Sequence, residues 1–180
     1  GDEVMAGGKT GDWKKLKNVM GEFDERLHRN AEKSLRRAGE ELASDMKTRI
    51  LDGKDMTPLH GFTIEQKGSS KPLVDDGDML GSIGVRFIEE LAVFVGANRK
   101  TEDGRDLVEL HNRENGTRVK VTEKMRTYLR ARGFNLKKET TELFIPGRPF
   151  IKPAYEDFKD SKVAKKLALE MVEDTLSGKG

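Results

Sequence analysis

The side chains able to do covalent or metal chemistry are thinly spread in this chain. His28, His60 and His111 stand 32 and 51 residues apart, so no two share the short helical spacing that brings two imidazoles to one metal. His111 and Glu114 have a three-residue offset, but the matching second helix of a carboxylate-bridged metal pair is missing from the pattern. Cysteine is absent, which removes thiolate ligands, disulfides and cysteine nucleophiles. Leu80-Gly81-Ser82-Ile83-Gly84 misses a Gly-x-Ser-x-Gly elbow by one glycine position, and no Gly-rich phosphate loop ends in Lys-Ser or Lys-Thr. Asp75-Asp76 and Glu89-Glu90 offer paired carboxylates, which in a chain with 37% charged residues read as solvated turns. The expectation is a protein without enzymatic activity, cofactor or metal.

Charge is informative only locally. The 34 basic and 32 acidic residues leave a net +2, yet Arg118, Lys120, Lys124, Arg126, Arg130, Arg132, Lys137 and Lys138 face the single acid Glu123 within residues 118–138. That segment carries +7 and the rest of the chain −5. Such asymmetry suits a surface that meets phosphate or an acidic protein, the other reading being a solvated face balanced by acids from elsewhere. Lys124, Arg126, Arg130, Arg132, Lys137 and Lys138 are the candidate DNA or acidic-partner face. Only Tyr128 and Phe134 interleave with these charges, too few to stack bases, so contact with DNA would follow the backbone without reading sequence.

The elements that must position these groups follow from periodicity. One hundred and eighty residues suit one domain, with 34% hydrophobic and 6% aromatic residues pointing to thin elements and much water-facing surface. No apolar run approaches the length of a membrane span, and Gly1-Asp2-Glu3-Val4-Met5 lacks the character of a signal peptide. From Trp13, apolar residues recur at Leu16, Met20, Phe23, Leu27, Ala31, Leu35, Ala38, Leu42, Met46 and Ile50, a long amphipathic helix capped by Asp12 and ended at Asp52-Gly53. Either it lies across a sheet, with a break near Gly39, or part of its stripe packs on another subunit. Residues 52–78 hold Pro58, Gly61, Gly68, Pro72 and Gly77 and read as a long loop, an arm ordered against a neighbour or a surface excursion.

Ser82 to Gly96 reads as a β-hairpin, Asn98 to Asp106 as a charged loop, Leu107 to His111 as a short helix or strand, and Asn115-Gly116 as a turn. Thr122 caps a short helix through Arg132 that Gly133 stops; Thr140 to Ile145 is a further strand closed by Pro146; a C-terminal amphipathic helix fades at Ser177-Gly178. The fold class expected is α+β, with the two large helices packed on a small, mainly antiparallel sheet and a loop that orders on assembly. The divisions are a flexible N-terminus over 1–11, one domain over 12–176 (long helix 12–51, loop arm 52–81, sheet and short helix 82–154, C-terminal helix 154–176), and a tail over 177–180.

Two blocks of text carry a family likeness. Thr57-Pro58-Leu59, Thr63, Lys67-Gly68 and Lys71-Pro72-Leu73-Val74-Asp75-Asp76-Gly77-Asp78-Met79-Leu80-Gly81-Ser82-Ile83 form the first. Asn115-Gly116-Thr117, Met125-Arg126-Thr127-Tyr128-Leu129, Gly133, Leu136-Lys137-Lys138 and Ile145-Pro146-Gly147-Arg148-Pro149-Phe150-Ile151-Lys152-Pro153-Ala154 form the second. In order and spacing they resemble the virion morphogenesis, or tail completion, proteins of Mu-like and other long-tailed phages. The likeness spans residues 57–154. Asp76 stands where a small hydroxylated residue is usual in that family, and Gly147 replaces a common alanine.

The resemblance implies a non-enzymatic structural protein of the virion neck or tail end, made in the host cytoplasm and assembling as a ring, a hexamer being one size. Its implied partners are further copies of itself, head connector or neck proteins, tail tube or terminator proteins, and genomic DNA touched non-specifically in the channel, with no membrane. Capping the tail tube, joining tail to head and completing the tail stay open as roles. Pro72, Leu73, Leu80, Ile83, Arg148 and Phe150 are the expected assembly interface. On physical grounds the two prolines around Arg148 make a stiff corner that either presents Arg148 and Phe150 to a neighbour or buries Phe150, and both can hold. The competing reading is a sequence-independent DNA-binding protein working through residues 118–138.

Overall fold

The computed structural model describes residues 11–74, 78–97 and 106–179. Its longest element is α1, Trp13–Asp52, about 60 Å at 1.5 Å per residue. The Asp12 carboxylate accepts from the Lys15 N–H at 3.0 Å, and Gly53 ends the helix at φ 64°, its N–H donating to the Ile50 carbonyl. Gly39 does not break the helix. It lies under the hairpin β1 (Ile83–Glu89) and β2 (Ala92–Ala97), where a Cβ would come within 2.7 Å of a Val85 methyl, so glycine there sets how closely helix and hairpin approach. The hairpin is antiparallel, from Ile83 opposite Ala97 to Phe87 opposite Val93, with a bulge before its turn.

The core sits over the C-terminal half of α1. Met46 and Ile50 meet Met56, Met79, Ile83, Val108, Phe150 and Ala154, with Leu73, Leu80 and Val85 packed against them. Phe150 and Ile50 are wholly buried. By contrast every residue from Gly11 to Glu25 is exposed, and the first buried position of α1 is Asn30.

Several expectations change in detail. The expected loop over 52–81 contains α2 (Gly61–Lys67) and α3 (Asp78–Ser82). The His60 ring accepts from the Phe62 N–H, Gly68 closes α2 at φ 68°, and Phe62 lies against Phe134 with ring centroids 4.6 Å apart. The segment therefore folds onto its own chain, its ends capped locally and its place set by the contact of Phe62 with Phe134. The single expected sheet is two separate two-stranded ladders, the second joining β3 (Thr117–Lys120) to β4 (Glu142–Ile145). β3 went unforeseen because its four residues alternate too briefly to signal a strand. The segment after Asp106 resolves as a helix, α4 (Leu107–Asn112), capped by the Asp106 carboxylate. Thr122 caps α5 (Glu123–Ala131) as expected, accepting from the Met125 N–H.

The C-terminal helix divides into α6 (Ile151–Asp160) and α7 (Lys162–Leu176). Ser161 ends one and caps the other, its hydroxyl donating to the Phe158 carbonyl at 2.6 Å and accepting from the Val163 N–H at 3.2 Å. α7 runs antiparallel along α1: Asn30 donates to the Thr175 hydroxyl, Ser34 to the Leu167 carbonyl, and Arg37 pairs with Glu170 at 2.8 Å. Arg49, 8% exposed, ties the far end of α1 to Asp55 and to Asp157 of α6. The flexible N-terminus expected over 1–11 lies outside the described residues but for Gly11, as does the charged loop over 98–106 but for Asp106.

Phe150 fills the centre of the core, so Phe150→Ala loses its transfer free energy and leaves a void. The expected cost is about 3–5 kcal/mol, read from urea unfolding followed by circular dichroism. A variant melting with the parent would contradict the burial.

Candidate functional site

The corner between β4 and α6 buries a charged side chain. Arg148 is 5% exposed, and its guanidinium donates from Nε to the Thr57 carbonyl at 2.9 Å and from Nη2 to the Pro58 carbonyl at 3.2 Å. Its backbone N–H donates to the His111 carbonyl at 2.6 Å. Asn112 completes the corner: its Oδ1 accepts from the N–H groups of Phe150 and Ile151 at 3.0 and 3.2 Å, filling the capping role that Phe150, as N-cap of α6, has no side-chain oxygen to play. Gly147 is obligatory, because a Cβ there would sit 1.9 Å from the Arg113 carbonyl oxygen. A glycine rather than an alanine at position 147 thus has a local steric reason.

Burial lowers the Arg148 pKa from its ordinary value, yet a guanidinium remains charged near neutrality. Beside it His111 lines a concave surface with Pro58, His60, Thr63 and Pro146. The His111 Nδ1 is buried without a hydrogen-bond partner among the described residues. Burial pushes the His111 pKa down, and the charges of Arg148 and Lys67 push it further. The arrangement is a neutral imidazole against a cation already engaged with carbonyl oxygens. Among the described residues, no three His, Asp or Glu gather as a metal site.

The six residues expected as an assembly interface are turned inward instead. Pro72, Ile83, Arg148 and Phe150 are buried, and Leu73 and Leu80 are half-buried against the same core. Leu73 adopts φ 58°, a left-handed backbone held by that packing. An isolated apolar residue in a motif does not say whether its own chain or a neighbour covers it; here the chain does. Asp75, Asp76 and Gly77 of the motif lie outside the described residues. Asn112 was missed and His111 was weighed only as a metal ligand, since nothing in Leu-His-Asn-Arg announces a cap for a helix 38 residues later.

The basic segment is less uniform than its count. Arg126 is half-buried, and its guanidinium donates to the carbonyls of Lys137 at 3.0 Å, Lys138 at 3.2 Å and Thr140, closing the loop after α5. Arg132 stacks on Tyr128 at 4.6 Å; Arg118 lies 5.9 Å from the Phe144 ring centroid and 4.0 Å from Glu142. Lys124, Arg130, Lys137 and Lys138 are exposed and have no ion-pair partner among the described residues. Arg126 therefore belongs to the fold, and the exposed face keeps the other five candidates. No described helix is long and apolar enough to cross a membrane.

No family model, curated protein or solved structure matches this chain.

Three measurements test this geometry. His111 binds its proton less readily folded than unfolded, so its contribution is full above the unfolded value near 6.5 and is lost as pH falls below it. Urea midpoints between about pH 7.5 and about pH 5 fall in the parent, and His111→Gln flattens that slope. Arg126→Ala, which removes hydrogen bonds to three loop carbonyls, two of them exposed, costs about 0.5–1.5 kcal/mol. Lys124→Glu with Arg130→Glu stays within about 0.5 kcal/mol for each site.

Proposed function

We propose that this chain is a structural component of a tailed-phage virion that completes the tail or joins it to the head, assembling as a ring at the neck or tail end, without catalysis. One observation carries the reading. The two sequence blocks that resemble the morphogenesis proteins, 57–83 and 115–154, meet at Arg148, whose guanidinium binds the Thr57 and Pro58 carbonyls. The motif residues are thus used to hold the fold, as a structural signature requires and as a catalytic one would not. The uncovered N-terminal end of α1 adds support, because a chain that leaves Trp13, Leu16, Met20 and Phe23 exposed is suited to meeting other protein.

Lys124, Arg130, Lys137 and Lys138 favour a second reading, non-specific DNA binding, which fits within the first if those residues face a channel. In that case reversing all four to Glu abolishes salt-sensitive binding to duplex DNA and leaves the fold intact.

Deletion of the coding sequence in the phage, with electron microscopy of the lysate, tests the main reading. Full heads and separate tails that fail to join are expected. Normal infectious particles made without the chain would overturn it.

A further inference from the structure

The end of α1 has a regular seam. Trp13, Leu16, Met20, Phe23 and Leu27 step by three and four residues, as the buried edge of a coiled coil does, and all five are between 36% and 64% exposed. The same face continues in the same steps as Asn30, Ser34 and Arg37, where α7 lies on it antiparallel. α7 ends at Leu176: Asn30 donates to Thr175 in its last turn and to the Lys179 carbonyl beyond it at 2.9 Å, and Gly178 comes up beside Arg26. Beyond that point the groove on α1 runs on without a covering helix for about 22 Å.

We propose that a second copy of this chain covers it, the two α1 ends pairing antiparallel about a two-fold axis near Gly21 and Glu22. In that register Met20 lies over the partner's Phe23 and Leu16 over the partner's Leu27, so every seam position from 16 to 27 meets an apolar one. The length matches by construction, each free end occupying the other's. The partner's Trp13 begins its helix where α7 stops, beside Leu176, which is 72% exposed. The pair thus prolongs the antiparallel line that α7 starts.

Charge selects the direction. The first turns carry Lys14, Lys15 and Lys17, and the next carry Glu22, Asp24 and Glu25. Antiparallel pairing sets Lys17 beside the partner's Asp24, twice by symmetry, whereas parallel pairing in register sets lysines on lysines. Those three acids also weigh against an anionic membrane as the occupant. Five apolar side chains from each helix remove on the order of 1,000 Å² from water, the low edge for a specific interface, so the dimer separates on dilution. The pairing goes beyond the virion reading and stands without it: an isologous contact closes at two copies, and a ring needs a different surface.

Sedimentation equilibrium of the full chain tests it. A monomer–dimer equilibrium is expected. Met20→Asp with Phe23→Asp gives a monomer that still unfolds cooperatively and loses circular dichroism at most from the first turns of α1, since both side chains are exposed in the single chain. Lys17→Asp weakens the dimer about tenfold, and adding Asp24→Lys restores it. The cysteine-free chain permits a geometric check: Leu16→Cys mixed with Leu27→Cys is joined by a short thiol crosslinker, and neither variant alone is. Monomer at all concentrations, crosslinking of Leu16→Cys to itself, association that survives Met20→Asp with Phe23→Asp, or binding of the stripe to phosphatidylglycerol vesicles in place of dimer would each overturn the pair. None of these results bears on whether heads and tails join.

Discussion

The fold depends on one buried cation. Arg148 sits at the corner where β4 turns into α6, and its guanidinium reaches across to the carbonyls of Thr57 and Pro58, about ninety residues earlier in the chain. Thr57 and Pro58 are exposed residues, so their carbonyls serve the guanidinium, which at 5% exposure is a charge costly to bury without partners. One planar side chain binds both carbonyls beside Phe150, which packs with Met46 and Ile50 in the core. A lysine has the charge, but its donors sit on one atom, without the planar fork that presents Nε and Nη2 to two carbonyls at once. The prolines on either side restrict the backbone before the guanidinium forms its bonds, which lowers the entropy lost in fixing it.

The same logic explains which parts of the fold were legible in the sequence. Elements whose signals are local were readable: Asp12 and Gly53 bound α1, Thr122 starts α5, and alternating β-branched residues mark the β1–β2 hairpin. Elements whose stability comes from distant partners were not. β3 is four residues long and exists because Thr117 to Lys120 meets Glu142 to Ile145. α2 is short and glycine-started, and its place depends on Phe62 finding Phe134. Gly39 looked like a break and is a contact, because a missing side chain reads alike in sequence whether it loosens a helix or admits a neighbour.

The candidate site was legible in position but not in sense. Of the motif residues picked out, Arg148 meets the 57–58 segment from within, and Phe150 is buried in the core, which was one of the two readings of that corner. The charge count over 118–138 exceeds the number of charges left free at the surface, although five of the six candidates are exposed. Arg126 closes a loop, Arg132 stacks on Tyr128, and Arg118 approaches Glu142 and Phe144. Sequence reports where charges lie along the chain, whereas a field at the surface depends on which of them carbonyls and rings have already engaged.

The two halves of α1 stand in different energetic positions. A free helix of about fifteen residues is marginal in water because the first turn fixes several dihedral angles for one hydrogen bond. The end of α1 escapes that nucleation cost, since it only extends a helix already anchored by Leu42, Met46 and Ile50. Each added residue then contributes one hydrogen bond at nearly balanced free energy, and Asp12 supplies the cap that limits fraying. A partner that covers the stripe is therefore coupled to helix formation: binding removes apolar surface from water and suppresses fraying in one step. The affinity of the contact and the order of the first turns must rise and fall together, and the small number of seam residues keeps both within reversible range.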